Sequence, residues 1–155
     1  MHSDLHKLIR TREEAFKMLS EIEMVSDALY QNNPDELNSI LENKINKNLA
    51  EYIKRSFETG IPKPEFLNET KESIKKMPVI SLTISFDPSE GTLTKLTSWA
   101  ENNLAERVIF DISKNESLVG GAIVISRGNY LDLSLRSKII DYFKNQKEAL
   151  ATYFK

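Results

Sequence analysis

The chain has 155 residues, 40% of them apolar and 28% charged, with 21 basic against 23 acidic side chains for a formal charge of −2. That is enough for one ordinary domain or two very small ones around a real core, and the near balance of charge provides no field that draws in nucleic acid or an anionic membrane surface. The absence of cysteine removes disulfides, thiolate nucleophiles and zinc sites built on Cys. The first ten residues alternate charged and apolar positions without an apolar signal core, and no later stretch approaches the roughly 20 apolar residues that span a bilayer. The expectation is a soluble, cytoplasmic protein with no direct membrane insertion.

From Leu5 the apolar residues Leu8, Ile9, Ala15, Phe16, Leu19, Ile22, Val25 and Leu29 recur at steps of three and four. This is the period of one helical face and predicts a first long helix. The stripe either packs within a helical hairpin or forms an intermolecular helix interface; Arg12 and Ser26 interrupt a strict heptad seam. Asn33-Pro34-Asp35-Glu36 then starts another helix, because Asn33 can cap, Pro34 fits the first turn, and the acids favour the positive helix end. Leu37, Ile40, Leu41, Ile45, Leu49, Tyr52, Ile53 and Phe57 continue on one stripe, which predicts a single helix ending at Thr59-Gly60, with Gly60 suited to a left-handed cap.

Pro62 and Pro64 punctuate the next stretch, and residues 65–76 form a short charged helical pattern with Phe66, Leu67 and Ile74, ended by Pro78. Past Pro78 the sequence changes character. Val79-Ile80-Ser81-Leu82-Thr83-Ile84-Ser85-Phe86 alternates like a strand, and Asp87-Pro88-Ser89-Glu90-Gly91 turns. Residues 92–104 carry Leu93, Leu96, Trp99, Ala100 and Leu104 at helical spacing, with Trp99 expected in the core. Arg107-Val108-Ile109-Phe110-Asp111-Ile112 is a second strand, so the helix is a crossover on one sheet face. A third strand at 120–126, a turn at Arg127-Gly128-Asn129, a short strand at Tyr130-Leu131 and a helix from Ser134 with Leu135, Ile139, Ile140 and Phe143 complete the order.

The expected fold class is therefore α+β: an N-terminal helical hairpin (1–61), a linker with a short helix (62–77), and a small mixed sheet with a crossover helix and a C-terminal helix (78–155). In the tail, Ala149, Leu150, Tyr153 and Phe154 extend the last apolar stripe. That extension either covers the sheet or serves as a docking surface for a partner helix.

Within that order, Leu118-Val119-Gly120-Gly121, the strand Ala122-Ile123-Val124-Ile125, a tight turn, and then Asp132-Leu133-Ser134-Leu135-Arg136 are similar to the signature of the delta subunit of F-type ATP synthases. The mitochondrial oligomycin-sensitivity-conferring protein belongs to the same family. The family pattern reads Asp-Pro-Ser-Leu-Ile-Gly-Gly, an apolar strand, a Gly-containing turn, and Ile-Asp-Gly-Ser-hydrophobic-Arg. Leu118, Gly120, Gly121, Asp132, Ser134 and Arg136 fall in the matching places. Asn115-Glu116 replaces Asp-Pro and Leu133 replaces a Gly.

Independently of the resemblance, adjacent glycines at a strand start allow a bend or close approach by another element, and Asp132 or Ser134 can cap the last helix. The resemblance covers roughly residues 77–143. It implies a non-catalytic stator subunit, without cofactor or metal, held at the inner membrane by its complex. The C-terminal part would bind the b subunit of the peripheral stalk, with Leu150, Tyr153 and Phe154 as partner-binding candidates, and the helical part would face the N-terminal segments of the alpha subunits. In the family that helical part has six helices; here about three fit.

Other chemistry finds little purchase. His2 and His6 share one helix face near the terminus and read as an exposed polar face or, with Asp4, as a metal pair. Gly120-Gly121 lacks the Gly-Lys-Ser/Thr ending of a phosphate loop and leads into a strand. Asp87, Asp111 and Asp132 have turn, strand-end or cap explanations. Two alternatives remain open: a stator subunit of vacuolar, archaeal-type, flagellar or type III secretion ATPases, which carry a long uninterrupted N-terminal helix, and a small ligand-binding α+β domain with a polar pocket.

Overall fold

A computed structural model describes residues 8–31, 33–58 and 60–145. The fold is α+β, with a four-stranded mixed sheet. The described elements are α1 (Arg12–Tyr30), α2 (Pro34–Asn43), α3 (Lys47–Phe57), α4 (Lys63–Lys75), β1 (Val79–Ile84), α5 (Glu90–Asn103), β2 (Ile109–Lys114), β3 (Ala122–Ser126), β4 (Asn129–Asp132) and α6 (Leu135–Asn145). They divide into two compact units. The first holds the described residues through Pro78 together with Ala100–Ile109; the second holds Val79–Trp99 and the described residues from Phe110 onward.

The first unit is helical. Its α1 begins at Arg12, several residues later than the apolar period suggests. A capping box fixes the start: the Thr11 hydroxyl accepts from Glu14 N–H at 3.2 Å, and the Glu14 carboxylate accepts from Thr11 N–H at 3.2 Å. Ile9, which lies before the helix, is fully buried all the same. The helix α2 starts as expected, with Asn33 Oδ1 accepting from Glu36 N–H at 3.2 Å and Pro34 in the first turn.

The expected single helix through Phe57 is corrected to two, α2 and α3, separated at residues 44–46. Asn46 ends the continuity in two ways. Its Oδ1 accepts from Asn48 N–H at 2.9 Å, capping α3, and its own N–H donates to the Glu21 carboxylate at 3.2 Å. Glu21 is only 7% exposed, and its charge lies beside the start of α3, where the helix dipole favours it. Among the described residues, the predicted hairpin is thus three helical segments.

Residues 62–77, read from the sequence as a linker with a short helix, carry α4, whose Phe66, Leu67 and Ile74 are buried in the same core as Ile22, Val25, Leu49 and Ile53. Phe66 stacks obliquely on Tyr52 at 5.7 Å and edge-on to Phe57 at 6.1 Å. Lys71 reaches Glu23 of α1 at 2.9 Å. Pro62 and Pro64 set the start of a core helix, because the first turn needs no backbone N–H there.

The sheet, which apart from Ile109 at the start of β2 belongs to the second unit, has the strand order β2-β1-β3-β4. Bonds from Ile109 N–H to Pro78 O and from Asn115 N–H to Ile84 O advance together, so β1 and β2 are parallel neighbours joined through α5. β3 pairs antiparallel with β1 (Ser81↔Ile125, Ile84↔Ala122) and with β4 (Ile123↔Asp132, Ser126↔Asn129). The β3–β4 turn is Arg127-Gly128, with φ of 49° and 79°, the two-residue form that matches strand twist.

This register gives the sheet two unlike faces. Leu82, Ile84 and Phe110 share one and are buried. Ser81, Thr83, Ser113, Ile123, Ile125 and Tyr130 share the other, where the Thr83 and Ser113 hydroxyls lie 2.9 Å apart. Trp99, expected in the core, is 54% exposed. The inward stripe of α5 passes through the half-buried Leu93, Leu96 and Thr97 to the buried Ala100, and Trp99 stands about 100° away from Ala100 around the helix.

Replacing Leu49, which is fully buried, by Ala should destabilise the helical unit by about 3 kcal/mol in a urea titration followed by circular dichroism. Glu21→Ala strands the Asn46 N–H and should cost about 1–3 kcal/mol, while Glu21→Gln keeps an acceptor and should cost less. Equal losses for the two would show that the Asn46 bond does not hold the break.

Candidate functional site

Of the residues singled out by the sequence motif, Gly120, Gly121, Asp132 and Ser134 meet at the junction between β4 and α6, with Arg136 in the first turn of that helix, whereas Leu118 lies in the turn that leads into β3. Asp132 ends β4 and its Oδ1 accepts from Ser134 N–H at 2.8 Å. Ser134, itself buried, caps α6 by accepting from Ser137 N–H at 3.2 Å. Leu133 N–H donates to Ala122 O at 2.8 Å and Leu135 N–H to Gly120 O at 2.9 Å, so the chain stays laced to the start of β3 until the helix begins.

Gly121 makes that lacing possible. It has φ of +84°, and a Cβ there would run into Leu133 O and lie 2.9 Å from Ser134 Cα. Leu133 itself needs no glycine conformation, since among the described residues Arg127 is the one non-glycine with positive φ. At the other departure from the motif, Asn115 Oδ1 accepts from Ser117 N–H at 3.0 Å and from its hydroxyl at 2.6 Å. Asn115 thus performs the turn-forming role open to an Asp. Leu118 N–H closes the same turn on Asn115 O at 3.1 Å.

Asp132 is held ionised below its ordinary pKa, first by the Ser134 hydroxyl, then by the Ser134 N–H, with Arg136 adding positive charge nearby. Lys114 lies 3.0 Å from Asp87 and 3.1 Å from Glu116, and its hydrogen bonds to those two carboxylates raise its pKa. Asp87 and Asp132 therefore have structural partners.

What the junction presents is apolar. In α6 no residue is buried, and Leu135, Ile139, Ile140, Tyr142 and Phe143 are each about half exposed. Leu135, Ile139, Tyr142 and Phe143 follow the i, i+4, i+7, i+8 spacing of one stripe. Tyr130 and Leu131 of β4, Leu133 and Ile125 are exposed as well. Periodicity assigns the last helix its stripe but not its exposure, and it does not single out Tyr130, Leu131 or Ile125. A signal is present in β3: Ala122-Ile123-Val124-Ile125 is apolar at both parities, so both sheet faces carry apolar side chains there. Leu150, Tyr153 and Phe154, the other expected partner-binding residues, lie outside the described residues, as do His2 and His6.

Elsewhere, a shallow cavity of about 210 Å³ in the helical unit is lined by Ala28, Leu29, Asn33, Pro34, Leu37 and Lys63, with Lys63 the one ionisable side chain among them. Among the described residues no group of three His, Asp or Glu side chains could hold a metal ion, and no helix is long and apolar enough to cross a membrane. No protein-family model and no curated protein matches the chain.

Because its folded pKa is lowered, Asp132 contributes stability that is present above its unfolded pKa and is lost as pH falls through the lower folded value, that is, below about pH 4. Asp132→Asn keeps the acceptor for Ser134 N–H and should flatten that part of the stability–pH profile, whereas Asp132→Ala should also destabilise α6 at neutral pH. A profile in Asp132→Asn as steep as in the unaltered chain would contradict this role.

Proposed function

We propose that the chain is a non-catalytic stator subunit of a bacterial-type F-type ATP synthase, akin to the delta subunit. Its C-terminal unit would take the b subunit of the peripheral stalk on the apolar surface around α6. The single observation behind this reading is that Gly121, Asp132 and Ser134, the residues that carry the family resemblance, are the ones that launch and cap a helix whose apolar stripe is left exposed. No described residue of α6 is buried, so the helix lacks the tertiary packing that ordinarily stabilises a helix in a folded protein. A docked partner helix supplies that packing.

The role needs no catalytic group. A stator resists torque, which calls for interfaces with an apolar centre that sets affinity and charges at the rim that set partner choice. On α6 the apolar stripe is flanked by Arg136, Lys138, Asp141 and Lys144, all at least partly exposed. The helical unit, whose described helices are α1 to α4, would face the N-terminal segments of the alpha subunits, and the protein would sit at the inner membrane through its complex.

The full chain should bind a synthetic b-type stalk helix at micromolar concentration in isothermal titration. Phe143→Asp should weaken that binding about tenfold or more, as removal of a central aromatic contact does. Phe16→Asp, at an exposed position of the helical unit, should leave it unchanged. If neither a stalk helix nor an alpha-subunit N-terminal peptide binds at micromolar concentration, the stator reading is wrong.

A further inference from the structure

The two edges of the sheet are finished differently. β2 ends in Lys114, held between Asp87 and Glu116, a charged termination of the kind that blunts an edge against another chain. β4, Asn129-Tyr130-Leu131-Asp132, has no lysine, no proline and no bulge, and exposes Tyr130 and Leu131 at 62% and 54%. Its one charge, on Asp132, is turned back onto its own chain through Ser134 N–H. Among the described residues no strand pairs with its outer side.

The hydrogen-bond phase of that edge can be read from the ladder. A two-residue turn makes Ser126 and Asn129 the first hydrogen-bonded pair, and the bond from Leu133 N–H to Ala122 O lies in the same phase. Tyr130 and Asp132 therefore turn their backbone N–H and C=O groups away from β3. Two outward residues separated by one form a self-complementary template. We infer that two copies of this chain pair antiparallel through β4 into an eight-stranded sheet, with Tyr130 of each opposite Asp132 of the other and Leu131 on the two-fold axis.

Other registers do worse. Setting Asp132 against Asp132 brings two carboxylates together, and setting Tyr130 against Tyr130 leaves Asp132 opposite Gly128 of the turn. The register centred on Leu131 uses both outward residues of each chain. The α6 helix leaves from the same edge, since Leu133 and Leu135 still bond to Ala122 and Gly120. Tyr130, Leu131, Leu133, Leu135, Ile139, Ile140, Tyr142 and Phe143 stand about half exposed there. Side chains of this size, about half exposed, offer at most on the order of 700 Å² per copy, with Tyr130 and Leu131 on opposite faces of the edge. A standard interface needs about 800 Å² per partner, so helix and edge together approach what a stable dimer requires. On the stator reading, a stalk helix and a second copy compete for α6; the dimer takes its register from β4 and part of its area from α6, and does not need that reading.

Because the chain has no cysteine, the register can be tested directly. In a non-hydrogen-bonded antiparallel pair the Cα atoms are about 4.5 Å apart, within disulfide range. Leu131→Cys in the full chain should thus form a covalent dimer under mild oxidation. Asn129→Cys lies two residues from the axis, about 14 Å from its counterpart at 3.4 Å per residue, and should not. By analytical ultracentrifugation the unaltered chain, with no stalk helix present, should show a concentration-dependent dimer in the micromolar range. Tyr130→Pro, which removes an outward donor while sparing the β3–β4 ladder, should shift it to monomer, with Tyr130→Lys as a second route should the proline disturb folding. A chain that stays monomeric to millimolar concentration, or a Leu131→Cys variant that cross-links no faster than Asn129→Cys, overturns the proposal and leaves the stalk-binding test unaffected.

Discussion

At Gly121 the backbone takes a left-handed φ of +84° with Leu133 O and Ser134 Cα lying where a side chain would have to go. The path of the chain from β4 into α6 depends on that close approach. It lets Leu133 and Leu135 bond to Ala122 and Gly120, brings Ser134 into a buried cap position, and fixes where α6 starts and on which edge of the sheet it leaves. A Cβ at Gly121 faces both a steric and a conformational penalty, and the second persists even if the neighbours move. Asp132 adds the electrostatic half of the same joint, since its carboxylate is most useful to Ser134 when ionised.

The joint gives a physical reason for a surface that is otherwise costly. An apolar helix stripe, an edge strand with Tyr130 and Leu131, and Ile125 on the sheet face it shares with Tyr130 are exposed apolar surfaces of the kind that mark interaction sites. A stalk helix would cover the α6 stripe, and a second copy would cover the β4 edge with the same stripe beside it. Neither demands a pocket or a titrating group, and the ionisable residues near the joint serve as cap and turn partners.

Much of the architecture could be read from the sequence because local chemistry decides it. Asn33-Pro34, the alternation of β1, the Arg127-Gly128 turn and the Ser134 cap are each set by residues within a few positions of one another. What could not be read depends on distant partners. The break between α2 and α3 preserves the apolar spacing, so periodicity does not register it; its stabilising acceptor is Glu21, 25 residues earlier. The membership of α4 in the helical core comes from Phe66 meeting Tyr52 and Phe57. The exposure of α6 and Trp99 was invisible because an amphipathic stripe states that a face will be covered, not what covers it. The motif pointed to Gly121, Asp132 and Ser134, but Tyr130 and Leu131 became candidates only once β4 was seen to be an edge.

Amide hydrogen exchange on the full chain, with and without a b-type stalk helix, tests the docking surface most directly because it reports on each element separately. A stalk helix seated on α6 should slow exchange in α6 and β4 and leave α1 to α4 unchanged. Protection gained only in α1 to α4, with α6 exchanging as fast in the presence of bound stalk helix as without it, would contradict that docking.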